Sequence, residues 1–319
     1  MNRRVHELQQ QAVQTMHTTI EEAGRFLRWA ASALVVGTIV GGLIGLFRMA
    51  VSWAVQMRAA HPAILFALPL AGAAIVWLYH CCGLDTDPGT DHILRSVRAD
   101  PGVHLRMAPL VAVSTVLTHL CGGSSGRMGA ALQIGGSVSG VLGHWANMGE
   151  KDSHIITMCG MAAGFSALFG TPLAAAVFAM EVVSVGEMYY AAFFPCLFSA
   201  FSAFLVTGAM GLSADAYQVV SVPDISAVSV LQVVLLGIGC ALVARLFCAA
   251  LRMARRAYGA VFPDTGLRIA AGGVLVILLT LTVGTQEYNG AGTDLVLRAF
   301  SGEASPAAFL LKILFTAAT

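Results

Sequence analysis

Apolar runs fill most of this chain, and only short polar or Gly/Pro stretches separate them. Helices are expected over residues 29–55, 62–82, 108–120, 130–145, 155–183, 189–210, 228–251, 269–283 and 307–318. Several of these fall short of the roughly 20 residues that cross a bilayer. Pro109, Pro172 and many of the 34 glycines interrupt them. Such unevenness suits broken, tilted helices lining an ion pathway better than a plain receptor bundle.

Composition narrows the class further. The chain is 57% hydrophobic and 11% charged, with a mean hydropathy of +0.77. Soluble domains carry about 25% charged residues, so this is an all-α polytopic integral membrane protein. A net charge of +1 without any block of like charge gives no reason to expect nucleic acid as a partner. The seven cysteines lie mostly in apolar runs without C-x-x-C spacing, and read as small buried hydrophobes; no metal or cofactor is expected. Residues 1–28 place Arg3, Arg4, Glu7, Glu21, Glu22, Arg25 and Arg28 around a thin apolar stripe, which suits a helix on the cytoplasmic membrane surface.

Residues 122–136 read GGSSGRMGAALQIGG, a glycine-rich turn running into an apolar helix start with one arginine and no acid. Irregular backbone at membrane depth is tolerated where protein buries it or where it lines a polar cavity. The positive end of a helix attracts anions. The candidate anion-binding groups are the backbone of Gly126, Arg127, Met128, Gly129 and Ala130 and the hydroxyls of Ser124 and Ser125. Binding by amides, without a full charge, permits release. Arg127 is either an electrostatic attractor or a structural fork for exposed carbonyls. Glycines at 135, 136, 140 and 143 read as small-residue helix packing. His119 and His144 read as polar tips near helix ends.

An internal repeat is also legible. Pro88-Gly-Thr-Asp-His-Ile-Leu-Arg-Ser-Val97 reappears as Ala291-Gly-Thr-Asp-Leu-Val-Leu-Arg-Ala-Phe300. Two long apolar segments precede each copy, and a helix ending in Thr follows each. The loop between the first pair of helices carries Arg58 and His61, whereas the second carries Arg252, Arg255, Arg256 and Arg268. By the positive-inside bias the second loop is cytoplasmic and the first is outside, so the repeats are inverted. Inverted repeats place a substrate near the midplane between half-helix ends. The domains expected are the surface helix 1–28, a first membrane repeat 29–210 and a second, inverted repeat 228–319 that stops before its own pore motif.

Two stretches carry a family resemblance. Gly126-Arg-Met-Gly-Ala130 followed by Ala131-Leu-Gln-Ile-Gly135 resembles the motif G-R-E-G-P followed by V-Q-I-G of the CLC chloride channels and proton-coupled anion transporters. Residues 160–181, GMAAGFSALFGTPLAAAVFAME, are similar to that family's G-x-x-A-G-x-x-A-x-F-x-x-P-L-A-x-x-x-F-x-x-E stretch. The resemblance runs from Trp29 to Thr319 and is nearest to the bacterial branch that includes fluoride transporters. It implies an inverted-repeat CLC-type fold, a homodimer with one pore per subunit, chloride or fluoride as the transported ion, and a bacterial inner-membrane location. It also implies further pore residues past Thr319, and hence that this fragment alone would not conduct selectively.

Position by position, the resemblance puts the gating glutamate at Met128. The inner proton-transfer position falls on Val182, just after Glu181, an acid that reads either as functional or as sitting at an aqueous interface. The first anion motif, G-S-G-I-P, aligns with Asp87-Pro-Gly-Thr-Asp91, placing Pro88 and Gly89 in the site with Thr90 as a hydroxyl donor. A thioether at the gate position neither blocks a pore as a tethered anion nor takes a proton. The expectation is passive, poorly proton-coupled anion transport and no enzymatic activity. Two alternatives stand beside it. One is a non-conducting scaffold or degenerate CLC homologue; the other is an intramembrane enzyme using Ser124 or Ser125 with His119, which lacks an acid at helical spacing.

Overall fold

The computed structural model describes residues 2–84, 105–183, 188–213 and 224–319, with side chains from residue 20 onward, and the regular structure among them is helix alone. Eleven α-helices are described: α1 (Asn2–Ala60), α2 (Leu68–Cys81), α3 (Met107–Leu120), α4 (Met128–Trp145), α5 (Glu150–Phe169), α6 (Pro172–Val183), α7 (Phe193–Ala209), α8 (Ala227–Val261), α9 (Thr265–Val283), α10 (Thr293–Phe300) and α11 (Pro306–Ala318). Among the described residues, five stretches are long and apolar enough to cross a membrane: Ile20–Ala60, Pro62–Cys81, Tyr190–Ala209, Ala227–Val261 and Thr265–Val283.

The structure redraws several expected boundaries. Asn2–Ala60 is one uninterrupted helix, so no break separates residues 1–28 from the first membrane helix. The run 155–183 is not one helix. Gly170, at φ 72°, ends α5 in the left-handed region, where a Cβ is costly, and Pro172 opens α6 at a position needing no amide donor. Arg252, Arg255 and Arg256 lie within α8 rather than in a loop, because that helix continues to Val261. Helix α10 is an element that hydropathy alone passes over; it is too short and polar to register as an apolar run. Of the cysteines, Cys121, Cys159 and Cys196 are buried as expected, while Cys81, Cys240 and Cys248 face outward; all seven are free.

Two compact units divide the chain, and they interleave in sequence. Among the described residues, the first takes those up to 46 together with 105–108 and 131–213; the second takes 47–84, 109–130 and 224–319. In the first unit α5 is the core. Ile155 through Gly164 are all buried, with α6 and α7 packed beside them. The α4–α5 crossing is built on glycine: a Cβ at Gly135 would collide with the Gly160 carbonyl, and one at Gly160 with the Ser139 hydroxyl. Buried hydroxyls tie α5 to α7, with Ser166 Oγ donating to the Ala200 carbonyl at 2.7 Å and Ser199 Oγ to the Cys159 carbonyl at 3.0 Å. Lipid offers helices no hydrophobic drive to associate, so close backbone approach and such bonds carry the packing. The inward stripe of α1 in this unit, Ala33, Val36, Val40 and Ile44, has helical spacing. Beside it Gly37 and Gly41 press on Ser199 and Ala203 of α7.

In the second unit α2 packs on α9. Gly72 sits against Ile269 and Gly273 against Pro69, so the two helices run antiparallel at the contact. These are the second long helices of the two sequence repeats, and an antiparallel pairing is what inversion of one repeat requires. Tyr288, Phe315, Leu68 and Val276 form the core beneath them. The Tyr258 hydroxyl of α8 caps the Ala318 carbonyl at 3.0 Å. Helix α8 otherwise buries none of its side chains against protein and presents Leu231, Leu235, Leu242 and Leu246 outward, as a lipid-facing helix does.

Gly160→Ala is expected to destabilise the protein by about 1–3 kcal/mol through overpacking at the α4–α5 crossing. Gly237→Ala, in open space on α8, leaves stability unchanged or slightly raised. Thermal unfolding of the detergent-solubilised variants, followed by circular dichroism, checks the contrast.

Candidate functional site

The loop between α3 and α4 lies in the second unit, and its course begins with the end of α3. Gly122, at φ 84°, adopts the left-handed conformation that terminates the helix. The Gly123 amide then donates back to the Thr118 carbonyl at 2.8 Å and the Gly122 amide to the His119 carbonyl at 3.3 Å. That is the Schellman pattern, and it satisfies carbonyls that a helix end would leave bare. A Cβ at Gly122 would also press on Leu65 and the Asn289 amide, so glycine serves both backbone and packing.

From there the loop is held by residues between Tyr288 and Thr319. The Gly290 amide donates to the Gly123 carbonyl at 3.0 Å, and the Ser124 amide donates to Thr319 Oγ1 at 3.0 Å. Lys312, the lone cation of α11, reaches into the same place. Its ammonium donates to Ser124 Oγ at 2.7 Å, the Tyr288 carbonyl at 2.9 Å and the Gly290 carbonyl at 2.6 Å. All three of its protons are thereby used. Ser124 Oγ also lies 3.0 Å from Thr316 Oγ1, whose own proton goes to the Lys312 carbonyl, so the Ser124 hydroxyl donates to Thr316.

The remaining sites expected from sequence divide by what the loop leaves open. Ser125 Oγ is enclosed and has no protein partner. Gly126 has open space where a Cβ would stand. The Arg127 guanidinium donates to Thr293 Oγ1 of α10 at 3.3 Å, a hydroxyl and not one of the carbonyls expected of a structural fork. Met128 is the first residue of α4 and 36% exposed, with Gly129 and Ala130 completing the first turn. Amides in a first helical turn have no intrahelical acceptor and are free to face a ligand. Ser125, the α4 start and the nearby Lys312 charge therefore make a cradle with donors and positive potential, chemically suited to an anion.

Other sequence candidates lie elsewhere. Pro88, Gly89 and Thr90 fall outside the described residues. Glu181 and Val182 end α6 in the first unit, the acid exposed and the valine half-buried. Lys312 was missed by the sequence reading, although a charge inside an otherwise apolar helix is the sign that finds such residues.

The architecture of the described residues defines an all-helical membrane protein with an electropositive loop between α3 and α4. The family model for the voltage gated chloride channel matches residues 71–319, and the chain belongs to that family. A chloride/fluoride channel protein from Pseudomonas syringae pv. tomato is 35% identical over 297 residues, covering 91% of this chain. The chain spans 66% of that relative's length, and 53% of the length of a second relative from Ralstonia nicotianae that is 28% identical over 230 residues. Among solved structures, that of a CLC-type fluoride/proton antiporter superposes with a TM-score of 0.87 at 29% identity, covering 92% of this chain and 75% of that one. A slow cyanobacterial Cl⁻/H⁺ antiporter superposes at 0.76 with 21% identity, covering 91% and 73%, a likeness of fold.

Lys312→Met is expected to unfold at markedly lower temperature than the native chain, because the Tyr288 and Gly290 carbonyls lose their donor at about 1–3 kcal/mol each. Lys312→Arg, which keeps the charge and the donors, recovers part of the loss. Thermal unfolding in detergent reads both.

Proposed function

We propose that this protein carries small inorganic anions, chloride or fluoride, across the membrane, passively and with weak proton coupling. The observation that carries the reading is the unpartnered Ser125 hydroxyl beside the first turn of α4, in a loop whose neighbouring charge, Lys312, meets hydroxyl and carbonyl oxygens instead of a carboxylate. A cation whose field is not cancelled by an acid favours an anion nearby. The family, and the likeness to the Pseudomonas chloride/fluoride channel protein, support the same class of substrate.

Weak proton coupling follows from Met128 and Val182, which put a thioether and an alkyl group where the family resemblance expects carboxylates. Neither takes up a proton. The Gly126 to Ala130 backbone and Ser125 act as anion donors in this reading, and Pro88, Gly89 and Thr90 contribute from the first anion motif. The protein works as a homodimer in a bacterial inner membrane, with its N-terminus in the cytoplasm and one pathway per subunit.

Since the chain spans 66% of the Pseudomonas relative's length, the test uses the whole natural protein: proteoliposomes holding it and loaded with chloride or fluoride are followed by efflux to an ion-selective electrode, with a pH dye reporting protons. Halide efflux without a fixed proton stoichiometry is expected; a fixed proton-to-anion ratio sinks the passive reading. Ser125→Ala is expected to slow efflux severalfold without lowering the unfolding temperature, since its hydroxyl bonds nothing in the protein. Met128→Glu is expected to slow efflux and make it pH-dependent, and unchanged flux would show that Met128 does not face the pathway. The two missing acids also favour a second reading, a degenerate homologue acting as a scaffold, which complete absence of halide efflux would select.

A further inference from the structure

Helix α8, in the second unit, carries four arginines, Arg245, Arg252, Arg255 and Arg256, and no acid among its 35 residues. Their places along it are uneven. From Ala227 to Ala244 the helix holds no charge, and at about 1.5 Å per residue those 18 residues cover about 27 Å, close to the roughly 30 Å of a bilayer's hydrocarbon. All four guanidinium groups come after that run, where the headgroups begin. By the positive-inside bias this end of α8 is cytoplasmic, and the cytoplasmic leaflet is the one that carries anionic lipid.

Packing decides which way the arginines point. The Tyr258 hydroxyl ties one face of α8 to the Ala318 carbonyl of α11 at 3.0 Å. Phe247, Ala250 and Ala254, half-buried, share that face at helical spacing. Arg245, Arg252 and Arg256, seven and four residues apart, recur on the opposite face with Arg255 at its margin, and all four are exposed. Cys248 and Gly259 lie among them, exposed as well, and a Cβ at Gly259 would stand in open space, so nothing bulky covers the stripe.

Among the described residues, none of these four side chains makes a hydrogen bond or ion pair. The neighbouring charges are already engaged. Arg268 Nη2 donates to the Phe262 carbonyl at 3.2 Å, and Asp264, the acid nearest in sequence, accepts from the Leu267 amide at 2.9 Å as the cap of α9. A merely solvated helix face mixes the two signs of charge, whereas this one holds only cations. Arginine also brings a planar fork that matches two phosphate oxygens at once.

We infer that the outer face of α8 from Arg245 to Arg256 is a docking stripe for anionic phospholipids such as phosphatidylglycerol. The guanidinium forks hold the headgroup phosphate, and the acyl chains lie along Leu235, Ile238 and Leu242, exposed on the same side of the preceding turns. Zwitterionic lipid is disfavoured, because its ammonium would meet four like charges with no carboxylate to receive it. The stripe is separate from the cradle at Ser125 and does not depend on which ion the protein carries.

Cys248, between Arg245 and Arg252, offers a place for a probe. With Cys81, Cys82 and Cys240 changed to Ser, a fluorophore on Cys248 of the full chain in phosphatidylcholine nanodiscs reads quenching by added phosphatidylglycerol or phosphatidylcholine bearing a nitroxide high on one acyl chain. At equal mole fraction the anionic lipid is expected to quench at least about threefold more strongly, and added salt to narrow the difference. Changing all four arginines to Gln should make the two lipids equal, and changing them to Lys should keep most of the preference. Arg252→Gln combined with Arg256→Gln, a milder change should the fourfold variant not fold, should lose at least about half of it. Equal quenching by the two lipids on the native stripe, or a preference that the glutamine variants leave intact, overturns the inference. Halide efflux plays no part in the readout, so this result and that of the proposed transport fail independently.

Discussion

Backbone in a membrane has to be satisfied by protein, and the glycine-rich loop shows what that demands. A turn that leaves a helix, crosses apolar surroundings and starts another helix exposes amides and carbonyls which lipid cannot bond. Here residues 290–319 supply the partners. The Lys312 ammonium gathers a serine hydroxyl and two carbonyls, the Gly290 amide caps Gly123, and the Thr319 hydroxyl takes the Ser124 amide. The α3–α4 loop, the loop before α10 and helix α11 are one another's hydrogen-bonding environment.

That mutual dependence explains why a lysine is tolerated in an apolar helix. An isolated ammonium in a low-dielectric setting is costly. Three acceptors at 2.6 to 2.9 Å replace its hydration, and the charge itself remains to bias the loop toward anions. The consequence for Ser124 is equally specific. A hydroxyl that accepts from Lys312 and donates to Thr316 orders the loop, whereas its neighbour Ser125 keeps a free donor, so two adjacent serines of identical chemistry take different parts.

Much of the fold was legible in sequence because lipid imposes one simple requirement. Hydropathy located most of the long helices, and the repeated Gly-Thr-Asp-x-x-Leu-Arg pointed to two halves whose second helices, α2 and α9, pack antiparallel at Gly72–Ile269 and Pro69–Gly273. Errors arose where hydropathy has no resolution. A left-handed Gly170 followed by Pro172 splits one apolar run into two helices, and α10 is too short and polar to register. The candidate site was legible as far as its backbone. Glycines, the arginine and the serines of the loop announced themselves, but their partners stand far away in the chain.

The sequence by itself determined the class of protein, the positions of most apolar helices and the repeated Gly-Thr-Asp-x-x-Leu-Arg, because each is a matter of residue type along one segment. Only the tertiary structure decided which groups meet. Hydrogen bonding and burial depend on distance in space, so the hold of Lys312 on the loop, the difference between Ser124 and Ser125, and the outward turn of the α8 arginines could emerge only once the helices of the second unit had packed.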